Sequence, residues 1–165
     1  GMNSKWIPWV CSCGGPVGTG KSFIAGCIAN ALLDQGVPVM MTNFARLLNK
    51  LTDMYSGDRN AYINSFNSFP LLIIDDLGVE RNSEFAREQV FNIIDSRYRS
   101  QLPMIVTTNL TVDELKNPAD LARERIYDRV LERCTAIKVN DQNIRKLNMA
   151  ENLARAKQLL EEVAV

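Results

Sequence analysis

Histidine is absent from the 165 residues. That absence excludes a Ser-His-Asp triad, a Cys-His dyad, histidine-ligated zinc and imidazole proton transfer within the chain. Catalysis must rest on carboxylates, lysine, arginine, backbone amides or a metal held by oxygen. Cysteine is scarce, at Cys11, Cys13, Cys27 and Cys134. One C-x-C pair and two isolated thiols do not make the two close pairs of a four-thiolate zinc site. Small buried thiols of a reducing compartment are the expectation. Long hydrophobic runs are missing too: no stretch approaches the ~18 apolar residues of a membrane span. Met2 to Pro8 lacks the apolar core of a signal peptide. A cytoplasmic protein with no membrane partner is expected. Nineteen basic residues balance nineteen acidic ones, so the net charge is zero. No global field draws the chain to nucleic acid, and any DNA-binding surface must be a local patch.

What is present is a globular composition, 46% hydrophobic and 23% charged. The length is that of one domain and buries a core without staples. Residues 1–165 are expected to form a single domain, with 1–8 a leader or tag remnant and 141–165 a C-terminal helix. Short apolar runs alternate with amphipathic stretches. Strands are expected at Ile7 to Cys13, Val37 to Thr42, Leu71 to Asp75, Met104 to Thr108 and Ala136 to Val139. Helices are expected at Gly20 to Leu33, from Asn43 as cap to Leu51 or Tyr55, and at Asn60 to Phe66. Others are expected at Ser83 to Arg99, Ala119 to Glu132 and Gln142 to Val163. Ser56-Gly57-Asp58 reads as a turn. Strands alternating with helices imply an α/β fold with a parallel sheet covered on both faces.

Residues Gly15-Pro16-Val17-Gly18-Thr19-Gly20-Lys21-Ser22 fit G-x-x-x-x-G-K-[ST] in full. Glycines let the backbone turn tightly and aim its amides at phosphate oxygens. The helix that follows adds its positive end. Lys21 would sit on the β- and γ-phosphates of ATP, and Ser22 would hold Mg²⁺ through its hydroxyl. The run Leu71-Leu72-Ile73-Ile74-Asp75-Asp76 is an apolar strand ending in two acids. Ligands of α/β proteins bind at the carboxyl ends of strands. Asp75 is therefore placed for the Mg²⁺ shell, and Asp76 to orient or deprotonate an attacking water. Met104 to Asn109 repeats the plan with an amide at the tip. Asn109 fits two roles equally, a water or γ-phosphate ligand and a plain cap of the next turn. Arg125, Arg129 and Arg133 recur every four residues on one helix face. Asp128 and Glu132 beside them suit a solvated salt-bridged face; a guanidinium reaching a neighbouring subunit's γ-phosphate is the alternative.

The strings GPVGTGKS, LLIIDDLG, IVTTNL and ERIYDRVLERC, in this order, resemble an AAA+ ATPase, and more narrowly the DnaC-like replicative helicase loaders, a group that includes the DnaI- and IstB-like proteins. The resemblance runs from about Trp9 to Lys146. It implies a P-loop three-layer sandwich around a five-stranded parallel sheet, with a small or absent lid. Lys21 and Ser22 then belong to Walker A, and Asp75 and Asp76 to Walker B. Asn109 takes the sensor 1 position, Arg129 the arginine-finger position with Arg125 as the alternative, and Arg145 the sensor 2 position. The implied activity is Mg²⁺-dependent ATP hydrolysis, weak alone and stimulated by assembly through the nucleotide interface or by DNA. The implied partners are single-stranded DNA and a replicative helicase, the latter gripped in such loaders by an N-terminal region; with about eight residues before the first strand, either an excised ATPase domain or loss of that function is expected. The segment from Asn43 to Phe69 is the expected DNA-facing insertion. Its basic residues are Arg46, Lys50 and Arg59, beside Tyr55 and Tyr62, while Leu47, Leu48 and Leu51 mark one face as core. Two other readings are an IstB-like transposition helper acting on duplex DNA and a nucleotide-dependent switch with negligible turnover. Asp76 stands where AAA+ proteins often have Glu, and no aromatic precedes Arg145.

Overall fold

The computed structural model describes residues 9–13, 18–78 and 83–138. Of the strand expected at Ile7 to Cys13, Trp9–Cys13 is described and forms a strand, while Ile7, Pro8 and the C-terminal helix with its Leu153-Ala156-Leu160-Val163 stripe lie outside the described residues. Five strands form one parallel sheet: β1 (Trp9–Cys13), β2 (Val39–Asn43), β3 (Leu71–Leu77), β4 (Met104–Thr108) and β5 (Cys134–Lys138). Their spatial order is β2-β3-β4-β1-β5. All four neighbouring pairs run parallel, so every strand tip of the same sense lies along one edge. Asn43 is in register with Asp75 at that edge.

The helices are α1 (Lys21–Leu33), α2 (Phe44–Thr52), α3 (Ser56–Ser65), α4 (Glu84–Ser100), α5 (Val112–Lys116) and α6 (Leu121–Arg133), with a 3-10 turn at Phe66–Ser68. Strand β3 shows why two layers of helix are needed. Leu71 and Ile73 pack with Ala25 and Ala29 of α1 on one face. Leu72 and Ile74 join Phe44, Leu47, Leu51, Val90, Ile94, Ile126 and Val130 on the other. Each such side chain contributes ~1.5–3 kcal/mol when fully buried, which holds the strand in place despite the acids at its tip. Right-handed crossovers account for the split: among the described connections only β1-to-β2 moves the opposite way along the sheet, so among the described helices α1 is the one on its face.

The ends of helices follow local chemistry. The side chains of Asn43, Ser83 and Asp120 accept the backbone N–H groups of Arg46, Ala86 and Arg123, capping α2, α4 and α6. Two departures from the sequence reading appear. Ser56-Gly57-Asp58 forms the first turn of α3 rather than a separate turn, with Asp58 favourably placed at the helix's positive end. Helix α5 was not anticipated. It is one turn long and rests on a capping box in which Thr111 and Glu114 satisfy each other's backbone amides. The expectation of buried thiols also fails at Cys27, which is exposed on the outer face of α1, and only in part at half-buried Cys134.

Candidate functional site

Gly18 and Gly20 both adopt φ 93°, a left-handed conformation that a side chain resists. They bring the chain into α1, which starts at Lys21 directly after Gly20. Lys21 is buried, at 6% exposure. Its Nζ donates to Thr19 Oγ1 at 3.1 Å. An ammonium this deep is stable only among acceptors or anions. One residue on, the Ser22 hydroxyl donates to Asp75 Oδ1 at 3.0 Å. Residues 53 apart in the chain thus meet at the carboxyl edge of the sheet, the P-loop from one side and the β3 tip from the other.

The β3 tip is irregular. The β3–β4 register shifts between Ile74 and Leu77, and Asp76 has φ 63°. A non-glycine residue in that region costs roughly 1 kcal/mol or more, least for Asp and Asn. Bulges of this kind turn side chains out of the pleat and are common beside active sites. Two buried threonines of β4 replace the interrupted ladder. The Thr107 hydroxyl donates a short hydrogen bond to Asp75 Oδ1 and accepts the Asp76 N–H at 3.1 Å. The Thr108 hydroxyl donates to Leu77 O at 2.6 Å and accepts the Leu110 N–H at 3.1 Å. Neither threonine was singled out from the sequence. The signal was there: hydroxyls on a strand buried on both faces need partners, and a strand tip is where the partners are chemical groups.

Asn109 follows β4 and is half-buried. No hydrogen bond of its amide is found among the described residues. Gly78 has φ 93°, and a Cβ there would lie 2.8 Å from Leu110 Cδ1, so the turn after β3 abuts the turn that carries Asn109. Gly15, Pro16, Val17 and Arg145 lie outside the described residues.

The arginines of α6 have separate partners. Arg129 Nε donates to Asp95 Oδ1 of α4 at 2.9 Å, and its guanidinium stacks on Phe91 and Tyr98 at 4.6 and 5.6 Å. Arg99 takes the other Asp95 oxygen at 2.8 Å. Arg133 stacks on Tyr98 at 5.1 Å, whose hydroxyl donates to Glu132 and is thereby made harder to ionise. The intrahelical pairing with Asp128 and Glu132 suggested by spacing is therefore not what holds Arg129; α4 supplies its acid. Arg125 is exposed and lines an open groove of about 300 Å³ with Glu84, Arg87, Glu88, Phe91 and Ala122, between the first turns of α4 and α6.

In the Asn43-to-Phe69 segment, Leu47, Leu48 and Leu51 are core as expected. Arg59 is taken up internally, donating to Leu51 O at 2.8 Å and stacking on Phe85. Tyr62 packs edge-on against Phe66 and under Lys50. Arg46 is exposed, and Tyr55 is 86% exposed.

The donor set suits Mg²⁺, a hard cation that takes oxygen ligands and is commonly shared between one or two protein groups and substrate phosphates. Ser22 Oγ and Asp75 are such a pair. No cluster of three acidic or thiol ligands occurs among the described residues. No helix among them is long and apolar enough to cross a membrane.

Comparison with known proteins gives the same frame. The replicative helicase loader DnaC of Escherichia coli strain K12 is 29% identical over 119 residues, 70% of this chain and 47% of that protein. The replicative helicase loader DnaI of Bacillus subtilis strain 168 is 28% identical over 145 residues, 79% of this chain and 46% of that protein. The chain thus spans about half the length of the curated relatives it matches. A crystal structure of the DnaC helicase loader superposes with a TM-score of 0.67 at 25% identity, covering 84% of this chain and 82% of that one. AMPPCP-bound DnaA from Aquifex aeolicus shares the fold, with a TM-score of 0.69 at 18% identity over 90% of this chain and 47% of that one. These neighbours give the α/β architecture as that of the AAA+ P-loop ATPases. A family model described as IstB-like ATP binding protein matches residues 11–152, most of the length, and the chain belongs to that family.

Proposed function

We propose that this chain is a single Mg²⁺-dependent ATPase domain that acts in placing a replicative helicase on single-stranded DNA. The observation that carries the nucleotide reading is the Ser22–Asp75 hydrogen bond, which joins the P-loop helix to the acidic strand tip beside a buried Lys21. Residues Gly15 to Ser22 would wrap the phosphates with backbone amides, and Lys21 would neutralise the β- and γ-phosphates. Ser22 and Asp75 would hold Mg²⁺, which would offset charge on the phosphates as the terminal bond breaks. Asp76, turned out of the pleat by the bulge, would accept a proton from the attacking water. Asn109 would orient that water or the γ-phosphate, and Arg145 would contact the nucleotide of its own subunit. The products are ADP and phosphate.

Completion of the site by a second copy rests on α6. Arg129 is the proposed finger, with Arg125 the alternative. Arg129 would have to leave Asp95 to reach a neighbour. A half-exposed ion pair is worth ~0–1 kcal/mol and each aromatic contact ~0.5–1 kcal/mol. A subunit interface can offset that sum. Arg125 needs no such release. For DNA, Arg46, Lys50 and Tyr55 are the remaining outward cations and aromatic of their segment, suited to a single strand by charge and stacking.

The loader reading is supported by the similarity to the replicative helicase loaders DnaC and DnaI, and the transposition-helper reading by the family's IstB-like description. ATP turnover by the chain, measured against its own concentration and against single-stranded and duplex DNA, separates them. Turnover that rises more steeply than concentration and climbs with single-stranded DNA supports the loader. A duplex preference supports the transposition helper, and tight binding without phosphate release supports a switch. Arg129→Ala should spare ATP binding and remove the concentration-dependent part of the rate; if only Arg125→Ala does so, the finger is Arg125.

A further inference from the structure

We propose that Thr107 is a positioning residue of the Mg²⁺–ATP site, holding Asp75 and Asp76 in their working arrangement through one hydroxyl. The inference rests on the ATP reading above and deepens it. Thr107 is 1% exposed. Its hydroxyl donates to Asp75 Oδ1 and accepts the backbone N–H of Asp76 at 3.1 Å. One side chain therefore fixes the carboxylate of the first acid and the left-handed backbone of the second, φ 63°. It does so at the bulge, where the β3–β4 ladder supplies no regular bond.

Ser22 donates to the same Oδ1 at 3.0 Å. Both protein hydroxyls thus use one oxygen of Asp75, and the other has no hydrogen bond among the described residues. Ser22 would share its oxygen with the cation; Thr107, set behind Asp75 on the neighbouring strand, has no such second duty. It keeps the carboxylate from rotating when Ser22 turns to Mg²⁺. The prediction is specific to the hydroxyl, because valine has the same shape and lacks it.

The test uses the full chain as wild type, Thr107→Val, Thr107→Ser and Lys21→Ala. Binding of a fluorescent, non-hydrolysable ATP analogue is titrated with Mg²⁺ and repeated in EDTA, and turnover is measured separately. Thr107→Val should need about tenfold more Mg²⁺ for half-maximal binding, the size of one hydrogen bond to a charged group. It should match wild type in EDTA, and its kcat should fall further than its KM rises. Thr107→Ser should restore the Mg²⁺ response to within about twofold, since it keeps the hydrogen bond to the charged group. An unchanged Mg²⁺ response in Thr107→Val overturns the inference. So does an equal loss with and without Mg²⁺, which marks a merely structural role. If wild type fails to bind the analogue, or Lys21→Ala binds it as well, the ATP reading itself has failed, and that outcome is distinct from a Thr107 failure.

Discussion

Arg97 is the most demanding residue of the core. It is 1% exposed, and its guanidinium donates to the carbonyls of Phe66, Phe69, Pro70 and Pro103, with no carboxylate partner among the described residues. Burial pulls its pKa down to about 10, which leaves it protonated at neutral pH. Those carbonyls precede β3 and β4, so the residue ties together the starts of the two strands whose tips carry Asp75 and Thr107. Arg97→Met should cost about 3 kcal/mol, because the carbonyls of Phe69 and Pro70 lose the guanidinium while those of Phe66 and Pro103 keep only a backbone N–H. Arg97→Lys should recover little of it, since an ammonium cannot reproduce the planar fork. Denaturant midpoints check both; a lysine variant close to wild type would contradict the role. Gly78 is demanding in a different way. Its φ of 93° strains any other residue, and a Cβ there would push the Leu110 side chain, 2.8 Å away, aside. Gly78→Ala should lose ~1–2 kcal/mol through the left-handed penalty alone. It should also lower turnover by moving the turn that carries Asn109, whereas equal activity and midpoint would show the two turns to be independent.

Helix ends supply predictions of their own. Gln101 closes α4 with φ 56°, and its side chain is exposed. Gln101→Gly should raise stability by ~0.5–1 kcal/mol, because glycine takes that conformation without strain. A lower melting temperature would contradict it. The Thr111 N–H, and then its hydroxyl, hold the Glu114 carboxyl below its usual pKa. A carboxylate depressed on folding stabilises above its unfolded pKa and loses that contribution as pH falls through the folded one. Glu114→Gln should therefore melt below wild type at neutral pH, with the gap closing below about pH 4. A gap that persists in acid would mean the charge is not involved. The same elements show what the sequence made legible. Strands β3 and β4 stand out because short unbroken apolar runs, Leu71 to Ile74 and Met104 to Val106, end in polar tips that mark the site. Helix α5 was hidden because one turn buries a single apolar residue, Leu115. Its signal was the Thr111-x-x-Glu114 spacing, a cap rather than a period. Gly57 reads as a break, yet its surroundings are open, and the cost of a glycine in α3 is small beside the burial of Ile63 and Phe66. At the site, the Ser22–Asp75 meeting followed from two motifs, whereas the Arg129–Asp95 pair joins helices by packing that no spacing rule contains.

Across the whole molecule the sheet gathers its chemistry on one edge. Parallel strands in the order β2-β3-β4-β1-β5 place the P-loop beside the tips of β3 and β4, and the first turns of α4 and α6 open toward the same edge. Arg87 of α4 and Arg125 of α6 line that opening. Asp95→Asn tests whether the Arg129 ion pair restrains assembly. It should leave ATP binding intact and shift the onset of cooperative turnover to lower protein concentration; an onset unchanged or moved upward would assign the pair to folding alone. Whether Lys21, Ser22 and Asp75 together form an Mg²⁺–ATP site is decided by calorimetric titration of ATP with Mg²⁺ into the wild-type chain and Lys21→Ala. Saturable binding of one ATP per chain is expected, at least tenfold weaker in the variant, as loss of a charged phosphate contact should make it. No binding by a folded wild-type chain, or equal binding by both, would contradict it.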